Sequence, residues 1–261
     1  MAETKVKGVV DLVILLDVSG SMQDCIDAVK GSIGSFINGL SSKDPNNESP
    51  VKDWRIKVCG YRDHAVDPTS WFVDNPFVRD VAAVQAQLTA PNMQASGGGD
   101  EPESLLDALY KLTKMEQSGP QDVEMQEKWR ARGTAARIVV FFTDATYKTP
   151  MTLPEAAGGG VGDVVSELMK AKVIPVGFVP EWPGYLDLAT CDPCEMDAYV
   201  KVASTPAIAG LGKPGAEGEA AMRAAVGALK ALSKDSEGFT KLMKQLVKTV
   251  QKSSVATPEA C

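Results

Sequence analysis

The sequence contains a single histidine, His64, among its 261 residues. Most zinc enzymes, and other sites built on several imidazole ligands, are therefore excluded. Cysteines are also few, and the five that occur are odd in number and scattered, which argues against a disulfide scaffold. This cysteine usage favours a reducing, cytoplasmic location.

Long apolar runs are missing as well. The best aliphatic run, Val9 to Leu16, is interrupted by Asp11 and falls far short of the ~20 residues that a membrane helix needs. The N-terminal residues Met1 to Lys5 lack the basic segment followed by an apolar stretch that marks a signal peptide. We therefore expect no membrane insertion and a cytoplasmic protein.

Basic residues are outnumbered by acidic ones, 27 to 34, which gives a formal net charge of −7. Binding to nucleic acid requires clustered lysine and arginine, so we predict no nucleic-acid partner. Hydrophobic residues make up 44% of the chain and charged residues 23%. This composition is typical of a globular protein and excludes a disordered or fibrous chain.

Predicted buried strands alternate with predicted amphipathic helices along the sequence. Aliphatic or alternating runs predict strands at 9–16, 54–61, 137–142 and 173–178, with a short edge strand at 70–73. Apolar residues at three- and four-residue steps predict helices at about 22–40, 79–88, 105–115, 161–169, 216–232 and 237–252. The segment 180–215 is rich in proline and glycine, and we expect it to be irregular with one short helix near Asp197.

This alternation predicts an α/β fold with a doubly wound, mostly parallel central sheet flanked by helices and one short antiparallel edge strand. We expect a single domain over 1–261 with its core at about 8–180. Residues 181–261 would then add a loop and C-terminal helices packed on the same domain.

Oxygen-bearing side chains follow two of the predicted strands. Asp17, Ser19 and Ser21 follow the first strand, Asp144 follows a later one, and a glycine-rich loop carries Asp100. In an open parallel sheet, ligands bind beyond the carboxyl ends of the strands, where the strand order reverses. If the two strands are neighbours, the three loops meet and offer only oxygen donors. Such donors predict a Mg²⁺ site, with Ca²⁺ and Mn²⁺ as alternatives.

Two motifs resemble those of the von Willebrand factor type A (vWA) family: Asp17-Val18-Ser19-Gly20-Ser21-Met22 after one strand and Phe142-Thr143-Asp144-Ala145 after another. In that family these loops build a metal-ion-dependent adhesion site, and the fold is Rossmann-like. The resemblance implies that Ser19 and Ser21 bind Mg²⁺ directly, and that Asp17 and Asp144 act mainly through bound waters. It also implies that an Asp or Glu of a partner protein completes the ligand shell.

The second loop departs from the commonest pattern of that family. Many members have Thr-x-Thr-Gly there, whereas this chain has Gly97-Gly98-Gly99-Asp100-Glu101-Pro102-Glu103, which resembles a Gly-Gly-Gly-Asp-x-Pro-Glu variant. We assign Asp100 to the threonine position, with Glu101 and Glu103 as alternatives. A direct carboxylate ligand at this position would hold the cation more tightly and weaken its attraction for a carboxylate of the partner.

Each of these residues also has a simpler structural interpretation. Ser19 or Ser21 would cap the following helix, and Asp100 would do the same beside Pro102. The residues Arg62, Asp63, His64 and Glu101 would form a partner-binding rim, and the alternative for the first three is a solvated loop with one ion pair.

Other features leave two interpretations open. Cys191 and Cys194 suit half a zinc site or a redox pair, although two loop thiols are the favoured interpretation. Arg130, Arg132 and Arg137 form a small basic patch near the third loop, which is either a solvated connection or a docking surface. The C-terminal helix either packs on the sheet or pairs with a partner.

The function expected from these features is that of a metal-ion-dependent protein-binding module, not an enzyme. Mg²⁺ would ligate an acidic residue of the partner, and no bond would be made or broken. One alternative is a regulatory or scaffold subunit of an AAA+ ATPase complex. A metal-dependent hydrolase is another, but it would need His64 as its base, and the sequence has no Gly-x-Ser-x-Gly elbow to present a nucleophile.

Overall fold

The computed structural model of the chain describes residues 8–42, 51–97, 101–119, 122–179, 182–190, 201–202 and 236–255. Its strands are β1 (Val9–Asp17), β2 (Asp53–Tyr61), β3 (Phe72–Asp74), β4 (Ala136–Phe142), β5 (Val173–Phe178) and the two-residue β6 (Lys201–Val202). They form one sheet in the order β3-β2-β1-β4-β5-β6. All neighbouring pairs are parallel except β2 with β3, which is antiparallel.

The helices are α1 (Gln23–Leu40), α2 (Val81–Thr89), α3 (Leu105–Thr113), α4 (Val161–Ala171), α5 (Pro183–Thr190) and α6 (Ser236–Val255). The predicted α/β fold, with a mostly parallel sheet flanked by helices and one antiparallel edge strand, is therefore confirmed. Sequence reasoning missed α5, because the prolines and glycines around it suggested irregular chain.

Hydrophobic cores lie on both faces of the sheet. Along β1, Leu12, Ile14 and Leu16 face a core shared with α1, α2 and α6. The intervening Val13 and Leu15 face a second core shared with α3, α4 and α5. Successive residues of a strand point to opposite faces, so a strand buried on both sides needs a nearly continuous aliphatic sequence.

Several sequence predictions lie outside the described residues. These are the helix at 216–232, the short helix near Asp197 and the thiols of Cys191 and Cys194. One domain over 1–261 stays a prediction. Within the part of the chain that the structure describes, no helix is both long enough and apolar enough to span a membrane.

The C-terminal helix α6 packs on α1 and the sheet, as the first of its two sequence interpretations predicts. Its buried residues Phe239, Met243, Leu246 and Val250 belong to the same core as α1. The polar residue Gln251 is also buried, and its side-chain amide lies within hydrogen-bond distance of Gly39 O, Leu40 O and Ser42 O at 3.4, 3.2 and 3.2 Å. Gln251 thus adds a second donor to carbonyl groups at the C-terminal end of α1, where Gly39 O and Leu40 O also accept the backbone N–H groups of Ser42 and Val51.

We expect Gln251→Ala to lower the free energy of unfolding by about 1 kcal/mol, because it removes the hydrogen bonds of a buried amide to the C-terminal end of α1. Chemical denaturation measures the change. The matched control is Lys248→Ala on the exposed side of α6, which is expected to change stability by less than about 0.5 kcal/mol. Equal effects of the two substitutions would contradict the capping role.

The predicted basic patch near the third loop is not formed. Arg130 and Arg137 are buried, and of the three predicted members only Arg132 is exposed. Arg137 lies at the start of β4, so it is at the edge of the sheet opposite Asp144. Arg130 donates from Nε and from its backbone N–H to the two carboxylate oxygens of Asp11, both at 2.7 Å. The prediction overlooked that the first residues of β4 lie at one edge of the sheet, whereas the third loop follows the end of β4 and lies at the other edge.

Candidate metal site

Two of the three loops predicted to form the site are brought together by strand pairing. β1 and β4 are parallel neighbours in the centre of the sheet, with Leu16 opposite Phe142. Asp17 ends β1, and Asp144 follows β4 by two residues. The chain proceeds from β1 to β2 on one side, and β4 lies on the other side. The two carboxylates are therefore at the point where the strand order reverses, which is where open α/β sheets bind ligands.

The turn after β1 is fixed by hydrogen bonds to its own carboxylate and to a neighbouring loop. Asp17, which is fully buried, accepts a hydrogen bond from the Ser19 backbone N–H at 2.9 Å. The Gly20 N–H donates to Gly97 O at 3.3 Å. Ser19 stands at the position that precedes the helical turn, but its side chain makes no capping hydrogen bond. The simple capping interpretation of Ser19 is therefore wrong.

Side chains from the first and third loops contact each other directly. Ser21 Oγ donates to Asp144 Oδ1 at 3.0 Å. Thr143 Oγ1 donates to Asp17 Oδ2 at 2.7 Å and accepts the Ala145 N–H at 3.1 Å. Sequence reasoning gave Thr143 no role, although its place directly before Asp144 at the end of a strand was a usable indication. Thr143 orients Asp17 and joins the two loops.

The acidic groups at this edge of the sheet have raised pKa values, because burial and mutual repulsion disfavour their ionised forms. The pKa of Asp144 is raised to about 7, chiefly by burial and then by the negative charge of Asp17. Burial also raises the pKa of Asp17, against hydrogen bonds from Ser19 and Thr143 that lower it. The pKa of Glu101 is raised by partial burial and then by the charge of Asp17. Carboxyl groups that are buried and repel each other form a local excess of negative charge.

The donor set fits a hard divalent cation. Two carboxylates and two hydroxyls, from Asp17, Asp144, Ser19 and Ser21, are all oxygen ligands, and a cation would compensate the repulsion between the acids. Within the residues that the structure describes, no group of three Asp, Glu, His or Cys side chains is arranged to hold a metal ion. Any cation here would therefore depend on hydroxyls and water as well as on carboxylates.

Two buried tyrosines lie close to these acids. Tyr61 at the end of β2 and Tyr185 on α5 are both buried, and their pKa values are raised well above 10, first by burial and next by the charge of Asp17. Tyr185 Oη donates to Ala145 O at 2.7 Å, on the loop that carries Asp144. Both phenols stay neutral, so they add no charge to the site.

The second loop approaches the first but is described only in part. Gly97, with φ +71°, has a backbone conformation that side chains other than glycine rarely adopt, and its carbonyl contacts the first loop. Asp100 lies outside the described residues, so its assignment stays a prediction. Glu101 is exposed, whereas Glu103 is buried and its backbone pairs with Thr146 and Lys148 of the third loop.

The predicted rim residues do not all lie on the surface. Arg62 is 6% exposed and Asp63 fully buried. Asp63 accepts hydrogen bonds from Lys148 Nζ at 2.5 Å, Ser104 Oγ at 3.1 Å and the Ala65 N–H at 2.9 Å. The predicted single ion pair is thus present, but it is not a solvated one. Of the four residues, half-buried His64 and exposed Glu101 remain reachable by a partner.

An open groove of about 530 Å³ borders the second loop on the side of the edge strand. Its lining includes Ser96 and Gly97 of the second loop, Phe72 to Asp74 of β3, and Asp67. Gly97 also accepts a hydrogen bond from Gly20 in the turn after β1, so the groove and that turn share this loop residue.

No protein-family model and no curated protein matches the sequence. Among solved structures, the chain is similar to the SpRpn10 VWA domain at 12% identity, with a TM-score of 0.44, over 77% of this chain and 91% of that one. It is also similar to proximal thread matrix protein 1 (PTMP1) from the mussel byssus. One crystal form gives 12% identity and a TM-score of 0.49 over 95% of this chain and 49% of PTMP1. The other gives 13% identity and a TM-score of 0.47 over 92% of this chain and 47% of PTMP1. The chain thus spans about half the length of PTMP1, and at such low identity the likeness to all three structures concerns the fold alone.

Proposed function

We propose that the chain is a metal-ion-dependent protein-binding module. Asp17, Ser19, Ser21 and Asp144 would hold a divalent cation, Mg²⁺ by preference, and Asp100 of the second loop would add a ligand. When bound, the cation supplies a positively charged position to which a carboxylate of another protein can bind. The function is ligation of a partner's Asp or Glu, and no bond is made or broken.

The observation that supports this proposal most strongly is the joining of the first and third loops by their own donor side chains. Ser21 contacts Asp144 at 3.0 Å and Thr143 contacts Asp17 at 2.7 Å, across more than 120 residues of sequence. Hydroxyls and acids from separate loops therefore share one location at the carboxyl edge of the sheet. The raised pKa of Asp144 favours the same interpretation, because a buried acid without a compensating cation is held in an unfavourable environment.

The chain's own residues would perform distinct tasks in this function. Thr143 and the Ser19 N–H orient the Asp17 carboxylate. Ser21, which is exposed, lies on the solvent side of Asp144, so a partner would approach from there. Exposed Glu101 stands near Asp17, and its negative charge would favour partner segments with a basic residue beside the acid that is bound.

A thermal melt with and without Mg²⁺ tests the proposal. A cation that binds only the folded chain stabilises it by about 2.7 kcal/mol when its concentration is about 100 times the Kd. We expect Mg²⁺ to raise the Tm of the wild-type chain, and Asp17→Asn and Ser21→Ala to reduce this rise. Parallel melts with Ca²⁺ and Mn²⁺ establish which ion is preferred.

The matched control is Asp27→Asn on α1, which removes a carboxylate that is 57% exposed and outside the site. Its Tm is expected to respond to Mg²⁺ as the wild type does. A wild-type Tm that is the same with and without each of the three cations would overturn the proposal. A response that persists in Asp17→Asn would place the cation elsewhere.

A further inference from the structure

The guanidinium group of Arg62 donates hydrogen bonds mainly to residues 94–96, which lead into the second loop. Its Nε donates to Ser96 O at 2.7 Å, and its Nη2 donates to Gln94 O and to Ser96 Oγ, both at 3.1 Å. Its Nη1 donates to Ser70 O at 3.2 Å. The side chain is 6% exposed, so these hydrogen bonds are shielded from water. Arg62 therefore holds residues 94–96 in a fixed position relative to the end of β2.

The far side of the same loop contacts the turn that carries the predicted metal ligands. The Ser96 N–H donates to Val18 O at 3.0 Å, and Gly97 O accepts the Gly20 N–H at 3.3 Å. The Ala95 N–H donates to Gln23 Oε1 at 3.0 Å. The loop is thus held between Arg62 on one side and the start of α1 on the other.

The choice of arginine follows from this geometry. Among the described residues no carboxylate lies within salt-bridge distance of Arg62, so its partners are chiefly backbone carbonyls rather than an acid. A planar guanidinium can donate to several carbonyls at fixed angles at once, whereas the compact ammonium of lysine cannot reproduce that fork. Burying a cation for this purpose is unfavourable unless it is hydrogen-bonded, and here each of the three nitrogens of the guanidinium group donates.

We propose that Arg62 is a positioning residue for the cation site. By fixing residues 94–97 it sets the place of Val18 and Gly20, and with them the orientation of Ser19 and Ser21. This inference rests on the proposed metal-binding function. The hydrogen bonds that position the site pass through the second loop, and the positive charge of Arg62 in addition lowers the pKa of Asp17. Arg62→Lys keeps this charge, so the variant isolates the effect of the hydrogen-bond geometry.

The experiment is a calorimetric titration of Mg²⁺ into the wild type and into Arg62→Lys, together with the Tm of each protein without metal. Second-layer residues that orient ligands usually contribute about 10–100-fold to metal affinity, so we expect a Kd for Mg²⁺ at least about tenfold higher in Arg62→Lys. Ser96→Ala removes one of the acceptors of Arg62 and is expected to weaken binding by a smaller factor.

The matched control is Arg137→Lys. Arg137 is also buried and also donates to backbone carbonyls, to Ala171 O at 3.0 Å and to Arg130 O at 2.7 Å, but at the opposite edge of the sheet. We expect it to lower the metal-free Tm and to leave the Kd for Mg²⁺ as in the wild type.

The outcomes separate the inference from the function on which it rests. A wild type that binds no Mg²⁺ overturns both. A wild type that binds, with Arg62→Lys and Ser96→Ala of equal affinity, overturns the positioning role alone, whatever happens to the Tm. If Arg62→Lys does not fold, an unchanged Kd in the milder Ser96→Ala is still sufficient to overturn it.

Discussion

Replacing Asp144 with asparagine is expected to stabilise the metal-free protein above neutral pH and to abolish its response to Mg²⁺. The pKa of Asp144 is raised to about 7 in the folded chain from an ordinary 3.8. An acid whose pKa is higher in the folded state binds protons more strongly when folded, so its contribution to stability falls as the pH rises through that window. Above about pH 7 the full difference is on the order of 4 kcal/mol. Asparagine carries no charge, so the variant does not lose stability through ionisation at this position as the pH rises.

Urea denaturation in the presence of a chelator measures the effect. Below about pH 4 we expect Asp144→Asn and the wild type to be nearly equally stable, because Asp144 is then protonated in both states. The advantage of the variant is expected to grow as the pH rises towards 7 and to be complete at about pH 8. The control is Asp63→Asn, in which an equally buried carboxylate loses its partner Lys148 and its hydrogen bonds. That variant is expected to be less stable at both pH values. Lower stability of Asp144→Asn at about pH 8 would contradict the unfavourable environment assigned to Asp144.

Asp11→Asn, the same chemical change at the opposite edge of the sheet, is expected to destabilise the protein by about 3 kcal/mol. Asp11 is fully buried and accepts hydrogen bonds from Arg55 Nε at 3.0 Å and Nη2 at 2.7 Å, as well as from Arg130. Removing the carboxylate leaves two buried guanidinium groups without their shared counter-charge. The loss is at the lower end of the usual range because Arg130 also pairs with Asp53.

A shift of the denaturant midpoint without a change in the slope m measures this loss of stability. Asp27→Asn again serves as the control, since an exposed ion pair with Lys30 contributes less than about 1 kcal/mol. If Asp11→Asn changes stability as little as this control does, the network of Asp11 with its two arginines has no net stabilising role.

Much of the fold follows from hydrophobic patterning. The aliphatic runs of β1 and β4 predict strands buried on both faces, and both are. Asp17 and Asp144 were placed at one edge on the condition that these two strands are neighbours, and the pairing of Leu16 with Phe142 meets that condition.

Residues whose partners are distant in sequence could not be placed in this way. Arg62 was expected on the surface because arginine is usually exposed, but its partner Ser96 is 34 residues away. Asp63 is buried because Lys148, 85 residues away, neutralises it. The position of Arg137, in contrast, was readable, since the first residues of a parallel strand lie at the edge away from the loop that follows it.

The contact between Asp17 and Thr143 spans 126 residues of sequence, through the central pairing of β1 with β4. Parallel strands so far apart pair late, because a long stretch of chain must first lose its conformational freedom. During synthesis, Ser19 and Ser21 leave the ribosome well before Asp144 exists, so a nascent chain lacks the proposed ligand of the third loop. A divalent ion at the proposed site would therefore not assist the early steps of folding, and it would stabilise only chains in which β1 and β4 have already paired.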